Sequence, residues 1–200
     1  MPVPRRAAKT RSWVLPMLLA FSCPPAARSV AGAQAAAARH SGVLLDVPYF
    51  RQSRPNACGA ASLAMLVRYW AKQMGTHNGA SPSEEAIDRK LDPRDRGITN
   101  TAMAKYLRAS GFRVFVFSGR WSDLRENLAK GRPLIVALGP HGQRGPYHYV
   151  VVAGMDWRSN LVFLNDPAQR KLFPMDRGRF LHEWAAAGNW TLLAVPKVTV

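Results

Sequence analysis

Cys58 stands where a polar loop, residues 52–57 with Pro55, gives way to a helical apolar pattern. A cysteine in the first turn of a helix faces the positive end of the macrodipole and unpaired backbone N–H groups. Both favour an anionic sulfur, the form a nucleophile needs. Gly59 beside it is expected to leave room for the backbone of a substrate. The chemistry such a sulfur performs is acyl transfer, which needs a general base. His148, in Gly145-Pro146-Tyr147-His148-Tyr149 at the mouth of the apolar run Val150-Val151-Val152, is the histidine most rigidly held for that task. His141 lies in a glycine-rich loop, His182 on a helix, and His40 and His77 in polar linkers. Asp166 ends a second apolar run in Asn165-Asp166-Pro167-Ala168. Antiparallel pairing of 148–155 with 161–165, through a turn at 157–160, would bring the two strand ends together. The aspartate would then accept from the imidazole and fix its tautomer. Asn165 is a rival orienter, since amides also serve in thiol enzymes. Gln52 is placed to donate its amide to a tetrahedral oxyanion, together with the Cys58 N–H. Each residue also has an ordinary structural reading: a small apolar side chain opening a helix, or an aspartate closing a turn.

These side chains need a frame. Residues 46–50 read as extended, with Pro48 keeping them from the centre of a sheet. From Cys58, Ala61, Met65, Leu66, Tyr69 and Trp70 follow helical spacing, and Gly, Asn, Ser and Pro break the pattern between 75 and 83. Shorter helices are predicted at 83–91, 100–110 and 122–130, and a last one at 176–187. Strands are predicted at 112–117, 133–138, 148–155, 161–164 and 190–195. Helices come first and strands follow, which favours an α+β fold with segregated layers over alternating βαβ units.

The 200 residues suffice for one domain with a real core, and 48% of them are hydrophobic. Two cysteines exclude a disulfide-stapled mini-fold and a four-cysteine zinc site. No apolar run reaches the ~18–20 residues needed to span a bilayer. The net charge of +16 suggests an anionic partner, yet it is unevenly spread. Residues 1–42 hold no acid, and the basic stretch from Arg5 to Arg11 precedes the apolar segment Trp13 to Phe21 and then Ala31-Gly32-Ala33. That order describes a secretory signal peptide, residues 1–33, followed by an Ala-rich linker, 34–42, and one domain, 43–200. Loss of the five basic residues of 1–33 lowers the net charge from +16 to +11. Cys23 would be retained only in a lipoprotein, for which Ala20-Phe21-Ser22 is a poor processing site. Otherwise Cys58 is the single cysteine of an exported chain. The remaining basic residues are scattered and lack a recognition motif, so nucleic acid is not the expected partner. No spaced set of ligands calls for a metal, and no cofactor is expected.

Val47-Pro48-Tyr49-Phe50-Arg51-Gln52, followed by Asn56-Ala57-Cys58-Gly59-Ala60-Ala61-Ser62-Leu63-Ala64-Met65, resembles the nucleophile region of the bacteriocin-leader-processing (double-glycine) cysteine peptidases, family thirty-nine of the cysteine peptidases. His148-Tyr149-Val150-Val151-Val152 and Asn165-Asp166-Pro167-Ala168 resemble that family's histidine and aspartate blocks, in the same order. Phe180 to Trp184 and Gly188-Asn189-Trp190 are similar to its closing helix and strand, so the likeness runs from about Leu44 to Val195. It implies a papain-like fold, with N-terminal helices carrying the nucleophile packed on an antiparallel sheet. It also implies Cys58 as nucleophile, His148 as base, Asp166 as orienter and Gln52 as oxyanion donor. Well-known members form the front domain of peptide-exporting ABC transporters and cut after a Gly-Gly pair. This chain has no transmembrane or ATP-binding portion, so the likeness is to stand-alone exported relatives, and the double-glycine specificity is not carried over. Asn56-Ala57 also departs from the aspartate that transporter-linked members tend to place beside the cysteine.

The expected activity is therefore that of a periplasmic or secreted thiol peptidase acting on peptides or proteins, beside a secretion or pilus system or alone. Two alternatives use the same residues. One is a peptidase-fold binding module of an envelope or secretion assembly, with little or no turnover. The other is acyl transfer or amide cleavage on cell-wall peptides.

Overall fold

The computed structural model describes residues 42–76, 81–92, 94–139 and 146–197. The expected signal peptide, Cys23, His40, His77 and His141 lie outside the described residues, as does the expected linker apart from Gly42. The first helix, α1 (Cys58–Gln73), is buried on all sides over its N-terminal half, from Cys58 to Leu66. Gly59, Ala60, Ala61 and Ala64 keep that half slim, so a sheet and neighbouring helices approach its backbone closely. Its exit bends at Met74, and Gly75 follows at φ +67°, a left-handed conformation that ends helices and costs glycine least. Two short helices follow, α2 (Glu84–Leu91) and α3 (Asn100–Ala109), opened by side-chain caps from Ser83 and Thr99.

Past α3 the chain builds most of one antiparallel sheet. The strands are β1 (Gly42–Leu44), β2 (Phe112–Ser118), β3 (Leu134–Leu138), β4 (His148–Asp156), β5 (Leu161–Asn165), β6 (Phe173–Asp176) and β7 (Trp190–Pro196), in the order β2-β7-β3-β4-β5-β6. β1 pairs with the C-terminal end of β4, beyond the residues that β3 pairs. Helices α4 (Trp121–Ala129) and α5 (Arg177–Ala186) complete the fold.

The central strands are covered on both faces, which explains why they read as unbroken apolar runs. Ile135, Ala137, Tyr149, Val151 and Ala153 face α1 and α3 in one core cluster. Leu134, Val136, Leu138, Val150 and Val152 join Leu124, Phe180 and Trp184 of α4 and α5 in the other. The fold is thus the expected α+β arrangement of N-terminal helices on an antiparallel sheet, with a second helical layer behind it.

Two strands were not foreseen, β1 and β6, each of at most four residues. Residues 46–50 form no strand, and a Val47 N–H bond to the Leu45 carbonyl at 2.8 Å turns the chain at Asp46. Leu45 N–H still bonds the Ala153 carbonyl at 2.8 Å, and thereafter the side chain of Asn165 holds the chain, donating to the carbonyls of Val47 (3.0 Å) and Pro48 (3.3 Å). The segment so held leads into the loop in front of Cys58.

Candidate active site

Cys58 is the first residue of α1, with 7% of its surface exposed. The preceding Ala57 offers no side-chain cap, and the first turn carries no acidic residue. The positive end of the helix is therefore presented to the sulfur without local compensation. Gly59 does not face an open approach, contrary to the expectation from sequence. A Cβ there would lie 3.3 Å from Ile98 Cβ and 3.5 Å from the Tyr149 ring. Its smallness serves the packing of α1 against these residues.

His148 opens β4, paired in register with Leu138 of β3, and so is fixed at the end of a buried strand. Its Nε2 lies 2.7 Å from Asp166 Oδ1. The β4–β5 ladder places Val151 opposite Asn165, and this register carries Asp166 to the His148 end of the sheet. Asp166 Oδ1 also accepts the Ala168 N–H at 2.9 Å, and the Asp166 carbonyl accepts from Tyr49 Oη at 3.2 Å. With Nε2 engaged by Asp166, Nδ1 is the ring nitrogen left to serve Cys58, which lines the same cleft. Burial opposes charge on the ring, yet the hydrogen bonds and charges of Asp166 and Cys58 outweigh it and raise the His148 pKa from its ordinary 6.5 to about 9. Burial likewise works against ionised Asp166, and His148 with two backbone N–H groups reverses that, leaving its carboxyl below the usual value.

The raised histidine has a consequence for stability. A group protonated more readily in the folded than in the unfolded chain stabilises fully below its unfolded pKa, and the contribution vanishes as pH rises through the folded value. The melting-temperature gap between wild type and His148→Gln is therefore expected to be widest near pH 6 and to close between 6.5 and about 9. A gap that widened with pH, followed by thermal melts, would refute an imidazolium paired with Asp166.

Asn165, the rival orienter, points elsewhere. It is fully buried, and besides its two amide donations its Oδ1 accepts the Leu172 N–H at 3.0 Å. It fastens the entry segment, and Asp166 alone of the two meets the histidine. Gln52 is placed in the loop before α1, but its amide faces its own loop. Nε2 donates to the carbonyls of Arg54 (2.9 Å) and Pro55 (2.8 Å), so both hydrogens are engaged. His182 lies on α5.

The sequence reading missed what holds that loop. Glu84, Asp88 and Asp92 recur at every fourth residue along α2 and its end, and all three are buried. Glu84 Oε1 accepts Ser53 N–H and Oγ, Asp88 pairs with the Arg54 guanidinium, and Asp92 accepts the N–H groups of Arg96 (2.8 Å) and Gly97 (2.6 Å). Three carboxylates at i, i+4 and i+8 on an amphipathic helix were the available signal. Glu84 Oε2 and Asp88 Oδ1 have no partner among the described residues, and burial raises the Glu84 pKa. Tyr149 was missed as well. Its hydroxyl donates to Asn100 at the start of α3, and its ring packs edge-on against Trp190 at 5.4 Å.

Two hollows meet at His148. One, about 290 Å³, is walled by Asn56, Cys58, Arg96, Thr99 and Tyr147; the other, about 230 Å³, lies on the Asp166 side between Ala168, Phe173 and Arg179. Among the described residues no cluster of three or more His, Cys, Asp or Glu side chains is arranged to hold a metal ion. None of the described helices is long and apolar enough to cross a membrane.

A helix opening on a cysteine, laid on an antiparallel sheet that carries a histidine and an aspartate at one end, is the arrangement of the papain-like cysteine peptidase fold. Within that class the chain belongs to the Peptidase C39 like family, whose profile matches residues 44–192. Solved structures resemble it at low identity. A protein described as C39-like peptidase from Bacillus anthracis aligns with a TM-score of 0.64 at 15% identity, over 79% of this chain and 99% of that one. A double glycine motif protease from an AMS/PCAT transporter, solved in complex with its leader peptide, gives 0.58 and 21%, over 78% and 95%. Xylellain, a cysteine protease from Xylella fastidiosa, gives 0.59 and 14%, over 78% and 86%. No curated protein sequence matches the chain.

Proposed function

We propose that this protein is an exported cysteine peptidase, cleaving peptide bonds in secreted peptides or envelope proteins. The observation that carries the reading is His148, bonded through Nε2 to Asp166 at 2.7 Å and lining one cleft with Cys58. In the resting enzyme the proton sits on the imidazole and the charge on sulfur. The thiolate adds to the substrate carbonyl, and the resulting oxyanion is met by the Cys58 N–H at the uncapped start of α1. Gln52 joins it by turning its amide away from the Arg54 and Pro55 carbonyls. His148 gives its proton to the departing amine, leaving a thioester. It then takes a proton from water, whose oxygen adds to the thioester and releases the acid and the free enzyme. Support for a peptide substrate comes from the transporter-linked relative with its leader peptide. Support for export comes from the basic and apolar order of residues 1–33.

The engaged amide of Gln52 favours a second reading, a peptidase-fold binder with little turnover. Alkylation of Cys58 separates the two at the level of chemistry. The iodoacetamide rate is expected to change less than about threefold between pH 8 and pH 6, whereas an unassisted thiol, ionising near ~8.5, slows about a hundredfold. A hundredfold fall would sink the peptidase reading and favour the binder.

A further inference from the structure

The cleft beside Cys58 has an electrostatic character that the catalytic residues do not require. Its wall opposite His148 is the turn 94–99, which is firmly held. Asp92 accepts the Arg96 and Gly97 N–H groups, Asn56 Nδ2 donates to the Asp95 carbonyl at 3.0 Å, and Gly97 adopts φ +84°. On this rigid turn Arg96 lines the cleft and is exposed to solvent.

The acids nearest to Arg96 in the chain are committed elsewhere. Asp92 is buried and serves the two backbone N–H groups, and Asp95 lies 3.5 Å from Arg54 Nη1. Among the described residues no carboxylate pairs with Arg96, and none lines the cleft.

Two helices also open onto this space, α1 at Cys58 and α3 through its capping residue Thr99. Neither carries an acid in its first turn, whereas α2 has Glu84 and Glu85 there and α4 has Asp123. The helices that compensate their dipoles, α5 among them through its capping Asp176, bring none of these acids to the cleft, and the two with no acid at the start, α1 and α3, converge on it. Thr99 and Tyr147 add hydroxyl donors at the rim.

We infer that the cleft selects peptides bearing a carboxylate within a few residues of the bond attacked, with Arg96 as the specificity-determining residue. The inference rests on the peptidase reading and deepens it by naming a substrate class. The carboxylate has two sources, an Asp or Glu side chain or a free C-terminus, and both suit a guanidinium flanked by hydroxyls. Uniform surface charge would not produce this selectivity, since scattered arginines are screened within about 10 Å at ordinary salt.

The test uses the Cys58→Ala protein, which separates recognition from turnover. Four pools of N-acetylated decapeptides are offered: amidated with one Asp or Glu, amidated with one Lys or Arg, amidated and neutral, and neutral with a free C-terminus. Retained peptides are counted by mass spectrometry. At least one carboxylate pool is expected to be retained about tenfold over the neutral amidated pool, and which one identifies the source. Arg96→Glu on the same background should invert the preference toward the Lys or Arg pool, and Arg96→Lys should keep it. Retention of both carboxylate pools no better than the neutral amidated pool, or a preference unchanged by Arg96→Glu, overturns the inference. Wild-type protein that cleaves none of the retained peptides refutes the peptidase reading and leaves the carboxylate preference standing. Cleavage of neutral peptides as fast as acidic ones does the reverse.

Discussion

Cys58→Ala is expected to abolish peptide hydrolysis and iodoacetamide labelling together, while the protein melts close to the wild type. The loss should be on the order of 10⁶-fold in kcat, the scale on which deleting the nucleophile of a catalytic triad acts. The fold should survive because Cys58 lines the cleft and its replacement removes a single side-chain atom. Such a truncation costs about 1 kcal/mol. The variant also removes a charge that raises the His148 pKa, so the imidazole should titrate lower than in the wild type, as NMR can follow. Retained hydrolysis of any substrate the wild type cleaves would place the chemistry elsewhere. Simultaneous loss of folding would leave the activity unexplained, and Cys58→Ser, which keeps a small polar atom at the helix start, separates those outcomes.

Much of this site is local in origin, which is why it was legible. A cysteine opening a helix, a histidine opening a strand and an aspartate closing the next one are each set by patterns of fewer than ten residues. The β4–β5 hairpin then brings the last two together with no long-range information. The choice between Asn165 and Asp166 needed the register, because adjacent strand residues point to opposite faces. The entry segment that occupies Asn165 leaves no trace in the hairpin's own sequence. Gln52 was harder for the same reason. Its amide competes for carbonyls two and three residues ahead, and their position is set by Arg54 reaching Asp88 on a different helix. Short β1 and β6 escaped notice since three or four residues give no periodicity to read. Gly59 shows the converse error. A glycine beside a nucleophile suggests space for substrate, but Ile98 and Tyr149 occupy it.

The carboxylates of α2 link that frame to function. In a chain with 28 basic and 12 acidic residues, three buried acids on one short helix are an expensive arrangement unless each has a structural partner. Between them they fix Ser53 and Arg54 ahead of Cys58 and the turn bearing Arg96. Both walls of the cleft are thus referred to one element, which holds the loop before Cys58 and the turn bearing Arg96.

His148→Ala should remove the base without rearranging the rest, and its effects divide in an informative way. Hydrolysis is expected to fall by about 10³- to 10⁴-fold, the range over which general-base removal and loss of an oriented thiolate act. Cys58 remains at the helix start but loses the cation that shares its proton. Its alkylation should therefore slow at pH 6 more than at pH 9, giving a steep profile in place of a flat one. Removing the ring also joins the hollows of about 290 and 230 Å³ that it separates. Free imidazole, the same ring without its tether, fits the merged space with Asp166 still fixed by the Ala168 N–H to receive it. Added imidazole is accordingly expected to restore part of the alkylation rate at pH 6, and the rescue should disappear in His148→Ala/Asp166→Ala. Rescue that persists without Asp166 would mean the carboxylate does not orient the base. No rescue in either variant, with alkylation at pH 6 unchanged from wild type, would mean that His148 never held the proton of Cys58.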